Sequence, residues 1–311
     1  MIFIIDLFRS KGDIFIETGE WDSMAVDCTE FEKLRPLQQI HCEMIDYLDH
    51  FCTENGISWC LARGSALGAA RHGGPIPWDD DADIYMTAED YAKFRTLFRQ
   101  KGDRERFYLQ ELDCVDGMLP MPKFRLNGTT FIEPALSDRD MHHGIYVDIY
   151  LLHGFPESRW KQLLAETASM YALLKRLSNH NYIKRKIVRP VMVFLRWFPA
   201  DFGLRTAYGL MYQSKSDEAS RLADWEKFKG KPRWYFERDV IFPIRRMDYN
   251  GYSFCVPNQL DRYLTAYYGS WRTPPSQEEI RWGQHAVTWS VQEDFRKFVP
   301  NIQDFRDEKL R

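Results

Sequence analysis

Apolar and polar positions recur with two different periods along this chain, and the places where the period changes mark its elements. Over residues 34–53, Leu37, Ile40, Met44, Leu48 and Phe51 recur at helical spacing; Pro36 fits the first turn and Asn55-Gly56 ends it. The apolar run from Ile57 to Leu61 predicts a buried strand leading into a Gly64-Ser65 turn. Residues 81–86 alternate as a second strand, with Asp81, Asp83 and Tyr85 on one face and Ala82, Ile84 and Met86 on the other. Thr87, with Asp90 three positions on, predicts a capped helix whose apolar face is Tyr91, Phe94, Leu97 and Phe98. Strand-like pieces follow at 106–110, 121–126, 129–133 and 144–151.

Beyond residue 156 the pattern is mostly helical, with Trp160, Leu163, Leu164, Tyr171, Leu174 and Leu177 as one predicted stripe. The segment from Tyr182 to Trp197 mixes Lys184, Arg185, Lys186, Arg189 and Arg196 with apolar residues. It fits either a helix lying at an anionic membrane surface or a partly buried helix with a cationic outer face, interrupted by Pro190. Phe254-Cys255-Val256 reads as a short strand before a helix opened by Pro257. The expected organisation is an irregular segment at 1–29 (strand-like at Ile14–Glu17), a catalytic core at 30–156, a mostly helical part at 157–303 completing the same domain, and a polar tail at 304–311. Strand, helix, then several strands predicts an α+β or α/β architecture, a mixed sheet flanked by helices.

Composition narrows the function classes. The 311 residues carry 42 Lys and Arg against 45 Asp and Glu, a formal charge of −3 that gives no general attraction to nucleic acid. Cys28, Cys42, Cys52, Cys60, Cys114 and Cys255 form no C-x-x-C pair and read as small buried residues of a reducing compartment. The apolar run Met1–Ile5 is too short for a signal peptide, and nothing approaches the roughly 20 apolar residues of a transmembrane helix. The expected location is therefore cytoplasmic, with peripheral contact at the inner membrane face if the cationic segment binds lipid.

Four carboxylates, Asp79, Asp80, Asp81 and Asp83, fall within five positions. Acids this dense repel one another, and a hard divalent cation with oxygen ligands is the simplest occupant. A second segment repeats the pattern: in Gly144–Tyr150, Asp148 stands between Tyr146 and Tyr150 on the face opposite Ile145, Val147 and Ile149. If the two strands are neighbours, Asp148 joins Asp81 and Asp83. Asp79 shares their parity but follows Pro77-Trp78, while Asp80 has the opposite parity and suits a supporting role. His142 and His143 adjoin the second strand, but as neighbours in a turn they point apart and fit surface or loop positions.

These residues resemble the LicD family. The stretch Gly64-Ser65-Ala66-Leu67-Gly68-Ala69-Ala70-Arg71-His72, followed by Ile76-Pro77-Trp78-Asp79-Asp80-Asp81-Ala82-Asp83, is similar to that family's signature. Lys123-Phe124-Arg125, the Asp148 strand, and Tyr263-Leu264 through Pro274 look like later family blocks, so the resemblance spans about Leu34 to Pro275. Departures are Arg63 in place of a usual small residue, Ala82 in place of Ile, and Gly74-Pro75 in a loop that normally carries a bulky apolar residue. The resemblance implies a nucleotidyltransferase-like fold and transfer of a phospho-alcohol, such as phosphocholine, from a CDP-activated donor to a hydroxyl of a glycan or lipid-linked glycan (lipopolysaccharide or teichoic acid), with CMP released.

On that reading Asp81, Asp83 and Asp148, with Asp79, are expected to hold Mg²⁺ or Mn²⁺, and Asp148 serves as ligand or as base. Gly64 and Ser65 are expected at a phosphate, and Arg71 at a phosphate oxygen. His72 contacts phosphate or braces its loop. Lys123 is either a phosphate contact or an exposed strand lysine. Trp78 packs under the loop or stacks on a base. Two other functions use the same residues: nucleotidyl transfer with release of pyrophosphate, and a non-catalytic module binding glycan or nucleotide.

Overall fold

A computed structural model describes residues 29–111, 121–133, 136–137, 139–179, 189–226, 235–276, 280, 285–286 and 288–298. The strand-like piece at Ile14–Glu17, Cys28, Cys114 and the polar tail lie outside these residues.

A 3-10 turn at Thr29–Leu34 leads into α1 (Arg35–Glu54), which buries Leu37, Met44, Ile45, Leu48 and Cys52 and ends at Asn55, with Gly56 at φ +58°. β1 (Trp59–Leu61) enters the sheet, but Gly64 and Ser65 form no free turn: they lie in the first turn of α2 (Arg63–His72). β2 (Asp83–Thr87) runs into α3 (Ala88–Lys101), whose N-terminus is capped by the Thr87 hydroxyl accepting the Asp90 N–H. β3 (Phe107–Gln110), β4 (Lys123–Leu126), β5 (Thr130–Ile132) and the long β6 (Tyr146–Gly154) follow.

The main sheet is mixed, with strand order β1-β2-β6-β4-β3. β2 and β6 are parallel, while β1–β2, β4–β6 and β3–β4 are antiparallel. The end of β6 also pairs with β7 (Arg221–Asp224), which pairs with β8 (Tyr235–Glu237). Later strands thus extend the same sheet. Aromatic packing fixes one side: the Phe107 and Phe124 rings stack at 4.7 Å, and Phe51, Phe94 and Phe98 close around them edge-on or stacked. Burying five such side chains contributes about 1.5–3 kcal/mol each.

The remaining helices are α4 (Arg159–Asn179), α5 (Arg189–Leu195), α6 (Leu204–Met211), α7 (Arg238–Ile241) and α8 (Leu260–Tyr268). Two strand pairs complete the fold. β9 (Arg245–Tyr249) and β10 (Tyr252–Val256) form a hairpin through Asn250-Gly251, both at positive φ as a tight two-residue turn requires, and β11 (Thr288–Ser290) pairs with β5.

Three sequence expectations are corrected here. In α4 the buried face is Ala165, Ala168 and Ala172 rather than the Leu and Trp stripe; Trp160 is 77% exposed and Leu164 is exposed. Small residues at three- and four-residue spacing let α6 approach closely, which bulky ones would prevent. In the cationic segment, residues 180–188 lie outside the described set; α5 buries Met192 and Leu195, and its outward side carries Val191, Val193 and Phe194 with Arg196 exposed just beyond, so the described part is mixed rather than simply cationic. His142 and His143 stand in a loop, as one alternative had it, but are buried rather than at the surface, bonded to Asn127 Oδ1 (2.9 Å) and the Arg139 carbonyl (3.0 Å).

Candidate active site

The register of three strands assembles the site. Asp83 on β2 lies directly opposite Asp148 on β6, and Asp148 lies opposite Lys123 on β4, so a lysine and two acids form one row across the sheet. Asp81, just before β2, completes a group in which one carboxylate oxygen from each of Asp81, Asp83 and Asp148 lies within 4.8 Å of the others. Asp83 and Asp148 are buried, and among the described residues no hydrogen bond reaches Asp83 Oδ1. An ionised oxygen without water or a donor is costly. Burial, and then the charges of Asp81 and Asp148, push the Asp83 carboxyl well above the usual carboxylate range. Burial also raises Asp148, against the opposing charge of Lys123. An all-oxygen, self-repelling set of this kind fits a hard divalent cation.

Asp79 is outside the three-carboxylate group but beside it. A Cβ at position 64 would sit 2.7 Å from Asp79 Oδ2 and 3.7 Å from Asp83 Oδ2, so Gly64 is the residue that lets both acids approach α2. Burial, then Asp81 and Asp83, raise the Asp79 carboxyl well above its ordinary value. Ser65 is buried, and its hydroxyl oxygen accepts the backbone N–H of Asp83 at 2.9 Å, pinning the start of β2 to α2. Ser65→Ala would strand that buried donor, and a loss of about 1–3 kcal/mol in urea unfolding is expected.

Lys123 is neither exposed nor unpaired. Its Nζ lies 2.8 Å from Asp148 Oδ1 and 3.7 Å from Glu133, and 3.3 Å from the centre of the Tyr146 ring. Glu133, despite burial, is held below the usual carboxylate range by Lys123 and Arg125. Arg71 and His72 lie at the far end of α2 from Gly64, and the Arg71 guanidinium donates to the Trp271 carbonyl at 3.1 Å. Arg71 and His72 both face the ring of Trp78, at 5.6 and 5.7 Å, and Trp78 is buried beneath them. In this geometry Arg71 and His72 pack over the loop that delivers the acids.

Two parts of the site have no local sequence signal. The first is His285, brought from 205 positions away to Asp80. The buried Asp80 carboxylate accepts the backbone N–H groups of His285 and Ala286 (2.8 and 2.9 Å), and His285 Nδ1 lies 3.0 Å from Asp80 Oδ1 and 3.5 Å from Asp81 Oδ2. The hydrogen bond to Asp80, then the charge of Asp81, pushes the imidazole up to about 10, so a half-exposed cation stands beside the acids. The second is a layer one step along the strands, where Tyr85 faces Tyr150. The Arg63 guanidinium stacks 3.4 Å from the centre of the Tyr150 ring and grips Asp224 through Nε (3.3 Å) and Nη2 (2.9 Å). The Tyr85 hydroxyl donates to the same carboxylate at 2.7 Å. Arg63 holds φ +41°, a conformation that favours glycine, which gives the departure at this position a structural meaning.

Residues 56–164 match the family model described as LicD/FKTN/FKRP, nucleotidyltransferase domain. The lipopolysaccharide cholinephosphotransferase LicD of Haemophilus influenzae is 24% identical over 268 residues, covering 79% of this chain and 94% of that protein. An uncharacterized protein of Rickettsia typhi, RT0683, is 44% identical over 55 residues, 17% of this chain and 18% of that one. The matched region contains β1, α2, β2 and β6, the elements that place all three converging acids, and over these residues the chain is similar to the LicD family.

Proposed function

We propose that this chain is a divalent-metal-dependent phosphotransferase. It moves a phospho-alcohol, phosphocholine or a similar group, from a CDP-activated donor to a hydroxyl of a cell-surface glycan, with release of CMP. The convergence of Asp81, Asp83 and Asp148 around a buried oxygen without a hydrogen bond among the described residues carries this reading. The similarity to a protein named for cholinephosphate transfer to lipopolysaccharide supports the substrate class.

In this reading Asp81, Asp83 and Asp148 hold Mg²⁺ or Mn²⁺. Such an ion, when bound, supplies charge neutralisation at a diphosphate. The acceptor hydroxyl oxygen forms a bond to the phosphorus bearing the alcohol. The bond from that phosphorus to the CMP oxygen breaks, with its electron pair leaving on CMP, and the hydroxyl proton passes to a carboxylate oxygen of Asp148 where that residue acts as base rather than as ligand. Phosphoryl transfer needs little beyond positioning and charge compensation. Lys123 compensates Asp148, Gly64 and Ser65 set the spacing of α2 and β2, and His285 adds positive charge at the rim.

Incubation with CDP-choline, CDP-ethanolamine, CDP-glycerol or CDP-ribitol, Mg²⁺ and a glycan acceptor tests the proposal. CMP is expected from at least one donor, and a chelator should stop its release. Pyrophosphate formed from CTP would mean nucleotidyl transfer instead. Saturable nucleotide binding with no turnover would mean a binding module.

A further inference from the structure

We propose that the outward face of α5 and the turn after it is a docking surface for an anionic lipid interface, holding the protein on a membrane without crossing it. Val191, Val193, Phe194, Trp197 and Phe202 are all exposed, Phe194 at 57% and Trp197 at 81%. These five are half of the exposed large hydrophobic side chains among the described residues, gathered within twelve positions. Isolated exposed apolar residues are ordinary, but a contiguous cluster with an open tryptophan marks an interaction surface.

The cluster is built onto the body rather than loose upon it. Met192 and Leu195 are buried beneath it, and the Lys175 ammonium on α4 donates to the carbonyls of Leu195 (2.9 Å) and Phe198 (3.2 Å). The rings of Phe194, Phe198 and Phe202 form a ladder, with centres 5.3 and 4.7 Å apart. The terminal carbonyls of the helix are thus satisfied from the protein side, and the outward side offers aromatic and aliphatic groups.

Charge selects the occupant. The sequence from Tyr182 to Phe202 holds five Lys or Arg residues and one acid, Asp201. An aromatic surface carrying Arg196 and flanked by further cations in the sequence is matched by anionic headgroups over a hydrocarbon boundary, whereas a second copy would bring the same excess of positive charge against it. Among the described residues no helix is long and apolar enough to span a bilayer, so the contact is interfacial.

The test is co-sedimentation of the full chain with vesicles of phosphatidylcholine alone or with about 30 mol % phosphatidylglycerol, where binding should be about tenfold stronger to the anionic vesicles. The double variant Phe194→Glu, Trp197→Glu should lose most of that binding with an unchanged melting temperature, since both side chains are already exposed. A wild type that stays in the supernatant with both vesicles overturns the proposal, as does a double variant that binds equally well. A wild-type dimer that the double variant converts to monomer assigns the face to a second copy and overturns it too. Vesicle binding needs no turnover, so this outcome is independent of whether CMP is released.

Discussion

Replacement of Asp83 by Asn is expected to abolish turnover while leaving the fold intact. The carboxylate lies in the central row of the sheet, opposite Asp148, and one of its oxygens has no hydrogen bond among the described residues. If it grips the cation, its loss removes charge stabilisation that exists only with metal and donor in place. A drop on the order of 10³-fold in kcat, about 4 kcal/mol of transition-state stabilisation, is the expected size. The same variant should melt higher than wild type in chelator, because a buried, raised carboxyl opposes folding when ionised. The sign follows from linkage. A group whose folded pKa is raised contributes stability that is fully present below its unfolded value near 4 and is lost as pH rises through the folded value. Wild type in chelator should therefore gain stability as pH falls from neutral toward about 4, and Asp83→Asn should gain less. Added Mg²⁺ or Mn²⁺ should raise the melting temperature of wild type but not of the variant. Equal turnover in the two proteins, or equal stabilisation by the ion, would sink the assignment.

The second large effect is expected at Arg63. This side chain is the cation for Asp224, which is buried and shares its carboxylate with the Tyr85 hydroxyl and the Glu226 N–H. Arg63→Ala leaves that charge in the interior without its partner, and a loss of about 3–5 kcal/mol is expected in urea unfolding. The remaining donors place it toward the lower end. Arg63→Gly should be less damaging than Arg63→Ala by about 1–2 kcal/mol, because position 63 holds φ +41° and only glycine adopts that region without strain. This inverts the usual order of alanine over glycine at a helical position. An Ala variant as stable as the Gly variant would show that the backbone conformation carries no cost. Wild-type stability in both would show that the ion pair contributes nothing. The same layer packs against the acid row, so activity is expected to fall in both variants.

The contrast between α4 and the acid strands shows where sequence reading stops. Periodicity found α4 but chose the wrong face, because hydrophobic size is not the same as burial: Ala165, Ala168 and Ala172 form the contact, and Trp160 projects outward. The strand alternation at Asp83 and at Asp148 required no such choice, and Asp81, just before β2, still brings an oxygen to theirs. Each acid is surrounded by apolar residues of opposite parity, and a pleated strand has only two faces.

The amino-acid sequence by itself determined the elements with a strong local period, the capped start of α3, the acidic strand and its Asp148 counterpart, and the stretch that resembles the LicD signature. Local sterics and side-chain alternation act over a few residues, so they can be read from a few residues. Tertiary structure alone decided that Asp83, Asp148 and Lys123 share one row, that His285 reaches Asp80 from the far end of the chain, and that Arg63 takes a glycine conformation to hold Asp224. Those pairings depend on strand register and on buried charges finding partners across long loops. Only the folded chain fixes these, because the cost of an unpaired interior charge arises once water has been excluded.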